Sequence, residues 1–179
     1  DVMSEMLQLK YKITNQGVLN LGIGNNRVVV PGGFGVLAKE RFDKDVLAQA
    51  GVKKVIIFEG INDIGAAKSG YSETVARQLI ESYQAMIKKA KARRLKVYLG
   101  TITPFKGAGY YSPFHEAARQ TVNEWIRKSG AFDEVIDFDE LTRDPKDPQR
   151  LKAEYSDDWL HLNPKGYEAM GKFAAEKLK

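Results

Sequence analysis

The chain has 179 residues, 43% hydrophobic and 28% charged, with no cysteine and a net charge of +5. That balance fits a single globular domain large enough to bury a core, and it excludes disulfides, thiolate nucleophiles and thiolate metal sites. The excess lysine and arginine lies in stretches such as KKAKARRLK (88–96), which reads as a solvated helix face rather than a nucleic-acid surface, and no apolar run approaches the ~18 residues of a membrane span.

In chain order, DVMSEMLQL (1–9) predicts a helix that starts without initiator Met or signal peptide, an opening compatible with a longer, exported precursor. GVLNLG (17–22) predicts a strand, residues 25–34 a loop and 35–50 a helix. KKVIIFEG (53–60) is a second buried strand, short and rich in Val and Ile. Over 72–93, Val75, Leu79, Ile80, Tyr83, Met86 and Ile87 recur at three- and four-residue spacing, the stripe of a half-buried helix. LKVYLGTITP (95–104) is the third strand, followed by a loop to residue 111. The next helix, 113–129, opens with Ser112 as cap and Pro113 in the first position. EVIDF (134–138) is the last strand, residues 143–158 read as irregular, and a final helix starts at Pro164 behind Asn163. Strict alternation of strand and helix predicts a parallel sheet with helices on both faces.

In such sheets ligands sit at the carboxyl ends of the strands. GIGNNR (22–27), GIND (60–63) and TPFKGAGYY (103–111) fall there, and DDWLH (157–161) leads into the last helix at the same rim. Asp158 and His161 have the spacing that lets a carboxylate hold one imidazole nitrogen while the other faces outward for proton transfer. An isolated Asp-x-x-His also marks a solvated loop or cap. Asn62 is placed to offer an amide N–H to a developing oxyanion, although Gly60 and Asn62 also suit a plain turn. GIGNNR is not a dinucleotide fingerprint, because Arg27 stands where its third glycine belongs. His115, beside Glu116 and Arg119, reads as a surface or capping residue, and two differently placed histidines make no zinc site.

Taken together, GIND, DWLH and the stretches VLNLGIGNNR and HLNPKGYEAMG resemble the SGNH (GDSL-type) hydrolase family of serine esterases and lipases, in a bacterial lipase-like and carbohydrate-esterase-like branch, over nearly the whole chain. The resemblance implies an α/β three-layer sandwich with a parallel, flavodoxin-like sheet. It implies His161 as base, Asp158 as its orienter, and an oxyanion hole of Asn62 with the backbone N–H of Asn25 or Gly24. Tyr110, Tyr111 and Phe105 are candidates to line the pocket of a small ester substrate. No cofactor or metal is implied. The family's nucleophile belongs to a Gly-Asp-Ser motif that these 179 residues lack, and none of the serines present stands in that context. The first, nucleophile-bearing strand therefore counts as missing, which implies a longer native polypeptide or an element exchanged with a neighbouring copy. The main alternative is a catalytically inactive domain of the same fold that binds carbohydrate or a protein partner.

Overall fold

The computed structural model describes residues 2–179; Asp1, the expected first residue of the opening helix, lies outside the described residues. Helix α1 (Val2–Glu5) continues as a wider π turn over Met6–Lys10, and α2 (Ala38–Phe42) continues the same way over Asp43–Leu47. Strand β1 (Lys54–Ile57) leads into the short helix α3 (Ile61–Gly65), then the long α4 (Ser72–Ala92). There follow β2 (Lys96–Gly100), α5 (Pro113–Lys128), β3 (Glu134–Ile136), α6 (Phe138–Thr142), a hairpin of β4 (Arg143–Asp144) and β5 (Asp147–Leu151), and α7 (Pro164–Leu178). The sheet is parallel, in the order β1-β2-β3, with Lys54 opposite Lys96 and Ile57 opposite Leu99.

Both expected helix starts form. Ser112 Oγ accepts the His115 N–H at 3.1 Å, Asn163 Oδ1 accepts that of Gly166 at 3.1 Å, and each is followed by a proline whose missing N–H costs nothing there. Two expectations need correction. Residues 17–22 are not a strand: Leu19 is 67% exposed, and among the described residues no strand forms a ladder with them. Gly17, Asn20 and Gly22 disfavour extended structure without such pairing. Residues 143–158 are not wholly irregular: Asp144 Oδ1 accepts the Lys146 N–H at 2.8 Å, closing the turn of the β4–β5 hairpin.

The described residues form two compact units. The larger comprises Gly22–Ile102 with Gly109–Val135. Its helices α4 and α5 pack on one another, and Val75, Leu79, Tyr83 and Met86 of α4 and Val122 and Ile126 of α5 are all buried, while Trp125 joins Tyr83 and Phe132 in an aromatic cluster. Beyond β2, the Ile102 backbone is satisfied by side chains: Asn123 accepts its N–H, while Asn123 and the fully buried Arg119 donate to its carbonyl. The smaller unit comprises the segment up to Leu21, Thr103–Ala108 and Ile136–Lys179. There α7 packs on α1, where a Cβ at Gly171 would stand 2.8 Å from that of Val2, and on α6 through Phe138 and Phe173.

Candidate active site

The site residues fall into two clusters, one in each unit. In the smaller unit the Asp158 carboxylate organises the loop before α7. Its Oδ1 accepts the backbone N–H groups of Leu160 at 2.9 Å and His161 at 2.7 Å, and its Oδ2 lies 2.7 Å from His161 Nδ1. These bonds, first the one to His161, hold its pKa far below the usual carboxylate range. An ionised carboxylate only accepts, so Nδ1 carries the hydrogen and the Nε2 of the neutral ring is left as a lone-pair acceptor. That ring is 73% exposed. Ser156, buried beneath the turn, donates to the His161 carbonyl at 2.6 Å and accepts the Trp159 N–H at 2.9 Å. Trp159 has φ +64°, a left-handed backbone that costs a bulky residue about 1–2 kcal/mol. The Arg150 guanidinium sits 4.3 Å from the centroid of its ring.

In the larger unit Asn62 lies in the first turn of α3, which Gly60 enters at φ +121°; a Cβ there would stand 2.6 Å from the Tyr83 hydroxyl. The Asn62 amide donates to the Asn26 carbonyl at 3.1 Å and accepts from the Tyr110 hydroxyl at 3.4 Å, which orients it and leaves its second N–H for a further acceptor. Tyr110 can lie against α3 only because residue 65 is glycine: a Cβ there would come within 2.2 Å of its ring. Gly24 and Asn25 form the turn closed by the Asn26 N–H to the Ile23 carbonyl at 3.1 Å, with Asn25 left-handed at φ +54°. The Asn25 side-chain oxygen is buried without a hydrogen-bond partner. Asn26 is buried, donating to the Phe34 and Val36 carbonyls and accepting from Arg41 Nε. Asp63, fully buried, accepts the N–H groups of Val28, Val29 and Val30 at 2.7–2.9 Å. Burial raises its pKa against the pull of those bonds.

Residues 1–169 match the GDSL-like Lipase/Acylhydrolase family. The chain belongs to that family. Solved structures agree in fold with this acylhydrolase relative. The acetyl xylan esterase AlAXEase is 24% identical, with a TM-score of 0.70 over 99% of this chain and 86% of that one. A GDSL-like lipase from Bacteroides thetaiotaomicron is 23% identical, with a TM-score of 0.61 over 79% and 70%. Est24, a carbohydrate acetylesterase from Sinorhizobium meliloti, is 13% identical, with a TM-score of 0.61 over 88% and 75%. No curated protein matches the chain.

The acylhydrolase fold sorts the remaining candidates. Phe105 is corrected from a pocket-lining to a core residue, being 1% exposed. Tyr111 is half-buried, directly after the Tyr110 that touches Asn62. His115 faces carbonyl oxygens with both ring nitrogens, Tyr110 at 2.6 Å and Ala67 at 3.1 Å, which ties two loops together. The broad groove lined by Ile80, Gln84, Trp125 and Ser129 holds none of the site residues. Asn26, Asp63, Ser156 and Arg150 escaped the sequence reading. Asp63 and Asn26 stood beside chosen residues, and only their burial separates them from ordinary turn residues.

Proposed function

We propose that the protein is a serine ester hydrolase acting on small acyl esters, acetyl esters of carbohydrate among them, with a serine outside these 179 residues as nucleophile. The observation that carries this is the 2.7 Å contact between Asp158 Oδ2 and His161 Nδ1 on an exposed imidazole. In that role His161 takes the proton of the serine hydroxyl as it attacks the acyl carbon and returns it to the leaving alcohol, while Asp158 stabilises the imidazolium formed between the two steps. Asn62, with the backbone N–H of Asn25 or Gly24, donates to the tetrahedral oxyanion. Each such donor is worth about 3–4 kcal/mol in comparable sites. Family membership and the esterases among the structural neighbours support this reading.

Hydrolysis of p-nitrophenyl acetate by the full-length gene product tests it. His161→Ala should lower kcat at least about a thousandfold, and near-normal turnover would reject the assignment. The absent Gly-Asp-Ser motif favours a second reading, a non-catalytic domain that binds carbohydrate or a protein. A fluorophosphonate probe separates the two, since it labels an activated serine in the gene product and leaves a binding domain unmarked.

A further inference from the structure

A left-handed backbone under an indole side chain persists only where its surroundings over-determine it. At Trp159, with φ +64°, three neighbours do so. Arg150 stacks its guanidinium on the indole at 4.3 Å and is itself anchored, its Nε donating to the Lys106 carbonyl at 3.3 Å. Gly107, at φ +107°, turns a bare Cα toward the ring: a Cβ there would stand 3.0 Å from indole Cγ and Cδ1 and 3.3 Å from Arg150 Nη2. Ser156 Oγ accepts the Trp159 N–H. Trp159 is also the link between Asp158 and the Leu160 and His161 amides that Asp158 binds. Its backbone angle therefore sets the turn that carries His161 Nδ1 onto Oδ2.

We propose that Arg150 and Gly107 are positioning residues: by clamping Trp159 in a left-handed conformation, they hold Asp158 and His161 in hydrogen-bonding geometry. The half-buried indole acts here as the gripped part of the loop, held against Arg150 and the Gly107 seat. For its catalytic consequence the inference rests on the function proposed above; its structural core does not.

Two readouts test it. In the full-length gene product, long-range proton–nitrogen NMR of the imidazoles reports the tautomer of His161, whose signals are assigned by their loss in His161→Ala. Wild type should show the proton on Nδ1, and Arg150→Ala and Gly107→Ala should each shift the ring toward the Nε2-protonated form. In the full-length gene product the same variants should lower kcat about ten- to a hundredfold with KM little changed, as expected for a displaced catalytic group. The deciding comparison is the double variant. Glycine adopts φ +64° unaided, so in a Trp159→Gly background Arg150→Ala should cost less than half its usual effect on a logarithmic scale. An unchanged tautomer in Arg150→Ala, or an equal cost in both backgrounds, would overturn the clamp. If His161→Ala kept full activity, the proposed function would fall, and the tautomer measurement alone would decide the positioning role.

Discussion

Asp158 and Glu59 show how surroundings set a carboxylate in opposite directions. Asp158 is exposed, yet its hydrogen bonds to His161 and two backbone amides keep it ionised far into acid. Its pKa is depressed in the folded state, so its contribution to the loop is complete above the ordinary carboxylate range and is lost only as pH falls below it. Asp158→Asn should leave the fold intact and lower kcat about 10⁴-fold if His161 is the base, because an amide does not favour the productive tautomer; steady-state kinetics at pH 8 check this. Glu59, at the end of the β1 segment, is pushed up to about 7 by burial, with Arg41 pulling the other way and Asp63 adding to the rise. For this raised acid the sign reverses: its favourable contribution is fully present below its ordinary value near 4.5 and is lost as pH rises through 7. Glu59→Gln should therefore gain about 2 kcal/mol relative to wild type between pH 5 and pH 8. Urea unfolding of both proteins at the two pH values reads the difference, and parallel pH dependence would show that Glu59 ionises normally.

At the scale of elements, helix α3 is the hinge of the larger unit's cluster, since one short turn carries both Asn62 and Asp63. Asp63 tethers the loop containing Val28–Val30 to that helix through three backbone bonds. Asp63→Ala should cost about 3 kcal/mol, because three N–H groups lose their acceptor and that of Val28 is buried where water does not replace it; chemical denaturation measures it. The tertiary links of this element were not legible in the sequence. Asn62 meets Asn26 and Tyr110 across 36 and 48 residues, and nothing local to GIND announces either. The features that were legible close within a turn: the Ser112–Pro113 and Asn163–Pro164 starts, the apolar stripe of α4, and the Asp158–His161 pair. Residues 17–22 show the converse. Their composition was strand-like enough, but a strand exists through its neighbours, and the ladder that would fix these residues is absent among those described. The β4–β5 hairpin went unseen because its strands are short and polar and contain Pro148.

At the scale of the whole molecule, cohesion comes from apolar packing within each unit and from a few buried polar networks. The chain has no cysteine, and no cluster of three metal-ligating side chains occurs among the described residues. Neither EDTA nor a reducing agent should shift the melting temperature, and a drop of several degrees with EDTA would reveal a metal-dependent fold. Many ion pairs lie on the surface, such as Lys128–Glu124 and Lys172–Glu168, where water and salt screen the attraction and leave little net stabilisation. Family and fold class could be read from the sequence because two spaced motifs survive in order, whereas the division into two compact units rests on long-range contacts that spacing does not encode. The two tryptophans are divided between those units, Trp125 stacked with Tyr83 in the larger and Trp159 under Arg150 in the smaller. Each unit thus contains its own intrinsic fluorophore. Single Trp-to-Phe replacements would give separate optical melting curves, and their midpoints would reveal whether the molecule melts in one step or two.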